Sequence, residues 1–383
     1  MRNIIRITAI VFLCTGLLSC RNGKTGVEIT MDGWGDDTVY MVSYRWGDDV
    51  EKTDTLKAER GVITLMTTEN DTTEVVLCAA SDCIYRPQIS PAIPESYSVR
   101  TIILPGTFEK ISGERTDKGV IYTSDGVELQ SHMASEHIRM LPLLNTGDSL
   151  NKIIETTDIP DSSLVKAFEA RNSLYVKRDN MRKEFIEAHP SAQLSGRYLC
   201  SLDYEDMATY ADKLSPEVLS GLFKDRIEAK MGKAEKYIAV KRNKEAITAG
   251  NPAPDFTLTD INGRKRSLSE FKGRYAVLDF WGTWCGWCLK GIPDMKKMYD
   301  RYHDKMGIVG IACHDTPEAL RKAVEEHDLK WTNLINEDDN DISVLYAVEG
   351  FPTKIVIDPE GTILSVTVGE EPGFYTAVSE ILD

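Results

Sequence analysis

Residues 275–293 read YAVLDFWGTWCGWCLKGIP, and this stretch decides the fold. Tyr275, Ala276, Val277, Leu278, Phe280 and Trp281 form a nearly continuous apolar run, the pattern of a strand covered on both faces in a parallel sheet. Cys285 and Cys288 follow where that strand must give way to a helix. At this spacing a disulfide can close and open with little backbone movement. A helix N-terminus presents unpaired N–H groups and a partial positive charge, which favour a thiolate over a thiol. Cys285 is therefore expected to have a lowered pKa and to be the exposed nucleophile. Cys288, deeper in the helix, is expected to resolve the mixed disulfide.

Three more residues extend the pattern. Asp279 is an acid inside the apolar run, where burial without a purpose costs about 2–7 kcal/mol for a polar group and more for a charge. It is placed to accept the proton of Cys288, through water if necessary. Pro293 falls inside the following helix, and Pro352, in Gly350-Phe351-Pro352-Thr353, stands just before the apolar strand Ile355 to Ile357 and is a candidate cis peptide. A zinc half-site or an inert structural disulfide would be the alternatives, but the chain has no second CxxC or HxxxH to complete a zinc site.

Across LDFWGTWCGWC the chain resembles the thioredoxin superfamily, with the aspartate, the Phe-Trp pair, the Trp before the first cysteine and both prolines at the same offsets. The resemblance implies a thioredoxin fold, a central mixed sheet flanked by helices. Two departures qualify it. Trp287 occupies the usual proline position between the cysteines, so the redox potential does not transfer. Gly291 stands where reductases of the ResA kind carry a glutamate near the cysteines, so their pH behaviour and substrate do not transfer either.

The 383 residues are enough for two or three domains. A formal charge of −15 with no basic cluster argues against nucleic acid as a partner. Residues 1–20 carry Arg2 and Arg6 before an apolar run from Ile7 to Leu18, the layout of a secretory signal and too short for a membrane span. The run ends in Leu17-Leu18-Ser19-Cys20, which resembles a lipobox, and Cys20 is the expected lipid attachment site, with a simple cleaved signal as the alternative. Acyl chains there would hold the protein to a membrane. Of the remaining cysteines, Cys78 and Cys83 could bridge a turn in an exported chain, and Cys200 reads as a buried thiol. Cys313 and His314 end a parallel strand at the same sheet edge as Cys285, where Cys313 reads as a packed thiol beside a surface His314, with a third redox cysteine as the alternative.

Taken in order, the chain is expected to comprise a signal (1–20), a β-rich domain (26–130), a helical region (131–249) and a thioredoxin-like domain (250–383). Short runs rich in Val, Ile, Thr and Tyr, such as VEITM, TVYMVSY and EVVLCAA, mark the β-rich part. It resembles a β-rich domain of unknown function that precedes thioredoxin-like domains in Gram-negative lipoproteins. Leu164, Phe168, Leu174 and Met181 fall at helix-compatible spacings in the next region. Asn251-Pro252-Ala253-Pro254 punctuates the last boundary, and a hairpin is expected to turn at Asn262-Gly263.

The expected activity is thiol-disulfide exchange, with Cys285 attacking, Cys288 resolving and Asp279 managing the proton. No bound cofactor or metal is required, since the electrons reside in the cysteine pair. Trp281, Trp284, Trp287 and Phe351 are expected to rim the cysteines, and the loop at Phe351, Pro352 and Thr353 to pair with an extended substrate peptide. The expected setting is the periplasm, with disulfide-containing envelope proteins as substrates and an inner-membrane electron donor or acceptor. A peroxidase of the peroxiredoxin type is the alternative enzyme, but it needs PxxxTxxC, and Thr283 stands two residues from Cys285 with no such proline. An envelope binding lipoprotein with a vestigial redox site is the non-catalytic alternative.

Overall fold

The computed structural model describes residues 25–46, 51–67, 72–83, 93–155, 160–336 and 341–383. The expected signal, Cys20 and residues 21–24 lie outside the described residues. The chain forms two compact units, divided between Glu228 and Ala229.

Among the described residues, the first unit opens with eight strands. These are β1 (Thr25–Asp32), β2 (Thr38–Arg45), β3 (Glu51–Lys57), β4 (Val62–Thr67), β5 (Thr73–Ala79), β6 (Val99–Ile103), β7 (Phe108–Thr116) and β8 (Gly119–Ser124). They build two four-stranded sheets, ordered β4-β1-β7-β8 and β3-β2-β5-β6. Alternate residues of both sheets, among them Val27, Ile29, Met41, Leu77 and Ile111, join one apolar core around the fully buried Trp34. Helices α1 (Glu128–Ile154), α2 (Asp161–Ala188), α3 (Gln193–Leu199), α4 (Tyr204–Ala211), α5 (Pro216–Leu219) and α6 (Lys224–Asn243) follow, and α6 runs across the division into the second unit. Arg197 on α3 and Arg100 on β6 close on the buried Glu74 of β5 at 2.7 and 3.2 Å, tying helix to sheet. Cys78 and Cys83 are not bridged: both thiols point at the Ala79 carbonyl, each at 3.4 Å. Cys200 is half-buried and forms no disulfide, so it is less enclosed than its apolar context suggests.

The second unit begins with the hairpin β9 (Thr257–Asp260) and β10 (Lys265–Ser267), turning through Gly263 at φ +79°. Then come β11 (Tyr275–Trp281), α7 (Gly286–Tyr302), β12 (Met306–Ala312), α8 (Pro317–His327) and β13 (Thr332–Ile335). The unit closes with α9 (Ile342–Leu345), β14 (Thr353–Ile357), β15 (Ile363–Val368) and α10 (Pro372–Leu382). One seven-stranded sheet results, ordered β10-β9-β13-β12-β11-β14-β15. It is mixed: β11, β12 and β13 run parallel, while β14 is antiparallel to both β11 and β15.

The strand period of two assigns each residue of β11 to a face. Ala276, Leu278 and Phe280 enter the core on one side with Phe256, Ile311 and Tyr346. Val277 and Trp281 enter the other, with Ile292 and Met295 of α7 and Phe374 and Val378 of α10. Asp279, between Val277 and Trp281, therefore points to the side that α7 covers. By the same count Lys354 of β14 shares that side with Val356.

Candidate active site

The link from β11 to α7 is short, and each residue in it has a defined job. The Trp284 indole folds over Gly282, where a Cβ would come within 2.5 Å of the indole nitrogen, so a side chain there would displace the indole. Thr283 is clamped by Asp315, which accepts its backbone N–H at 2.8 Å and its hydroxyl at 2.6 Å. Trp284 donates its indole N–H to the Cys313 carbonyl at 3.0 Å. These bonds fix the chain so that Cys285 becomes the N-cap of α7, its sulfur accepting the Cys288 N–H at 3.2 Å. Cys285 and Cys288 are joined as a disulfide with their Cα atoms 5.3 Å apart.

In this oxidised state Cys285 is not the exposed member of the pair. It is 7% exposed and Cys288 is 6%, both inside the core cluster under α7. What separates them is the backbone: Cys285 caps the helix and Cys288 lies within its first turn. Trp281 also departs from expectation, since it is 3% exposed and belongs to that core rather than to the rim.

The rim is built by others. Trp284 and Trp287 are 53% and 63% exposed. Trp284 meets Phe351 edge-on at 5.4 Å, and His314 completes the cluster at 6.3 Å from Trp284 and 5.9 Å from Phe351. The sequence puts His314 at the sheet edge of Cys285 as a surface histidine, but its position beside Phe351 depends on the sheet bringing two distant loops together. Trp287 stands over the ammonium of Lys290 at 4.3 Å. Cys313 is fully buried and free, and burial pushes its thiol up, which leaves it a packing residue.

The Phe351–Pro352 peptide bond is cis, and Pro352 lines a cavity with Cys288 and Asp279. The Pro352 carbonyl accepts the Gly369 N–H at 2.7 Å, and the buried Thr353 gives its hydroxyl to the Gly350 carbonyl at 2.7 Å. Thr353 therefore offers no side chain to a substrate, and the half-buried Phe351 is the exposed part of this loop.

Asp279 is 8% exposed and its Oδ1 has no hydrogen-bond partner. Burial pushes its carboxyl up to about 6, against the pull of Lys354 and with the added push of Glu370. Those two residues were not anticipated. Lys354 is 2% exposed and its Nζ bonds the Glu370 carboxylate at 2.6 Å. Tyr375 donates its hydroxyl to the same carboxylate at 2.5 Å. A Cβ at Gly291 would lie 2.3 Å from Glu370 Oε2, so the carboxylate brought by the loop after β15 fills the space a side chain at 291 would need. Lys354 could have been found as a charge inside the apolar strand TKIVI, by the reasoning applied to Asp279. Glu370 left no such signal. Among the described residues no group of three or more His, Cys, Asp or Glu side chains is arranged to hold a metal ion.

Residues 249–366 match the model of the AhpC/TSA family. The thiol-disulfide oxidoreductase ResA of Bacillus cereus is 35% identical over 130 residues, covering 34% of this chain and 75% of that protein. ResA of Bacillus subtilis is 33% identical over 134 residues, covering 35% of this chain and 74% of that protein. Among solved structures, the thioredoxin domain of a thiol-disulfide oxidoreductase from Bacteroides vulgatus shares 33% identity, covering 35% of this chain and 98% of that chain at a TM-score of 0.34. The family-model match spans the cysteine pair, and with this identity over three quarters of the ResA sequence the chain belongs to the thioredoxin-like thiol-disulfide oxidoreductases of the ResA family.

Proposed function

We propose that this thiol-disulfide oxidoreductase works in the periplasm, anchored by lipid at Cys20, exchanging disulfides with other envelope proteins through its WCGWC pair. The observation that carries the chemistry is the Cys285–Cys288 disulfide at the N-terminus of α7, with Cys285 as the cap. In the reduced protein the helix terminus favours the Cys285 thiolate. This thiolate attacks a substrate disulfide, one substrate sulfur leaves as a thiolate, and a mixed disulfide forms. Cys288 gives its proton to Asp279 and attacks Cys285 Sγ, which restores the internal disulfide and releases the second substrate thiolate. An inner-membrane donor or acceptor resets the pair. Trp284, Trp287 and Phe351 supply an exposed aromatic surface on which an extended peptide can lie. Among the described residues no helix is long and apolar enough to cross a membrane.

The peroxidase reading is weaker, because the Thr283 hydroxyl is committed to Asp315 at 2.6 Å. Reduction of insulin disulfides tests the proposal. The wild-type chain should be active and Cys285→Ser inactive. Hydrogen peroxide consumption without insulin reduction would support the peroxidase, and neither activity would support a binding lipoprotein.

A further inference from the structure

The register partner of Asp279 on the neighbouring strand is Lys354. Directly opposed residues of antiparallel strands put their side chains on one face, with Cβ atoms about 5 Å apart. Asp279, Cys288, Pro352, Lys354 and Glu370 line one cavity of about 10 Å³, close to the least volume that holds a single water. Burying ions costs several kcal/mol each, and apolar residues of similar volume would fill this space at less cost. The Lys354 ammonium is nonetheless bonded to Glu370, and the Oδ1 of Asp279 is left without a partner. The arrangement is thus an unpaired acid beside a balanced ion pair, next to the sulfur that must lose a proton.

We propose that the Lys354–Glu370 pair is a positioning element that sets the protonation of Asp279 during resolution, with Lys354 favouring the carboxylate and Glu370 opposing it. The proposal rests on Asp279 being the proton acceptor of Cys288. When the Cys288 thiol gives its proton to Asp279, the sulfur attacks Cys285 Sγ, the bond to the substrate sulfur breaks, and the departing thiolate takes a proton from solvent. Asp279 then returns its proton to solvent past Glu370 and the Tyr375 hydroxyl, which lies 3.4 Å from the Gly291 carbonyl. Lys354 holds Asp279 ready to accept, and Glu370 keeps it from staying ionised at every pH. The other titratable groups around this space do not compete. Burial pushes both the Tyr375 hydroxyl and the Cys313 thiol up, and the exposed Asp294 of α7 is paired with Lys297 at 2.8 Å.

The test uses the reduced full-length chain and the aromatic disulfide dithionitrobenzoate, whose first thionitrobenzoate is released by Cys285 and whose second is released by Cys288. The rate of the second release is measured against pH, and its acid limb reports the Asp279 carboxylate. Lys354→Met should move the midpoint of that limb up by at least one pH unit, slowing the acid-limb rate about tenfold or more. Glu370→Gln should move it down, and Lys354→Arg should restore it. A purely structural role predicts loss of stability in the variants without opposite displacements of the midpoint. A limb present in the wild type but unmoved, or moved the same way by both variants, overturns the proposal alone. A wild type with no acid limb, indistinguishable from Asp279→Asn, overturns the role of Asp279 and the proposal with it. If Lys354→Met does not fold, Glu370→Gln, which keeps the side-chain volume, decides the sign.

Discussion

Replacing Asp279 with Asn should remove a pH-dependent loss of stability while slowing exchange, and the size of the first effect follows from the structure. Burial pushes this carboxyl from its ordinary 3.8 up to about 6. A shift of about 2 units corresponds to about 3 kcal/mol between the two protonation states. Below pH 3.8 the carboxyl is protonated in the folded and unfolded chains alike, and there is no penalty. As pH rises toward about 6, the unfolded chain ionises first and the folded state loses that stability; above this range the loss is complete. The buried amide of the variant brings a separate cost of about 1–3 kcal/mol that does not depend on pH. The diagnostic is therefore the change in relative stability between pH 4 and pH 8, which should favour the variant at pH 8 by roughly four-fifths of that ~3 kcal/mol, since the unfolded carboxyl is already partly ionised at pH 4. Urea titrations of the oxidised chain at the two pH values, read by protection of the β11 and β14 amides, report on the second unit without the first. Thionitrobenzoate release by Cys288 should meanwhile slow by about a hundredfold at pH 8, the lower end of what a general base contributes. A stability difference that is equal at both pH values would refute the burial argument, whatever happens to the rate.

Alkylation of the reduced protein at pH 6 to 7 should label Cys285 well before Cys288 and Cys313, read by peptide mass spectrometry; equal rates for the pair would remove the assignment of roles. Gly291→Ala should force the Glu370 carboxylate out of its place beside Lys354, since a Cβ there meets Oε2 at 2.3 Å, and cost about 1–3 kcal/mol in urea unfolding. A change below about 0.5 kcal/mol, the level of an indifferent surface substitution, would show that the carboxylate is not held there. Cys20→Ala should release the protein from the membrane fraction. In some Gram-negative envelopes, lipoproteins displayed on the cell surface carry an acidic run just after the lipidated cysteine, and here Arg21-Asn22-Gly23-Lys24 stands in that place, so the wild type should resist proteinase K in intact cells until the outer membrane is permeabilised; digestion in intact cells would place it on the surface.

Local chemistry determined a good part of this protein without any structure. The apolar run of β11, the two cysteines at its end and the turn at Asn262-Gly263 each act over a few neighbouring residues, so their meaning survives in one dimension. Asp279 could be singled out for the same reason, as a charge where the local pattern demands an apolar residue. What only the tertiary structure decided depends on strands far apart in sequence becoming neighbours. Trp281 looks like one more aromatic at the cysteines, but the alternation of β11 turns it into the core. Lys354 acquires a role because antiparallel pairing sets it opposite Asp279, 75 residues away (354 − 279). Glu370 acquires one because the chain, after β15, returns over Gly291. The electrostatics of the acid depend on the distance to charges on two other segments, β14 and the loop after β15, and on their shared exclusion from water, and neither quantity exists until the sheet has formed.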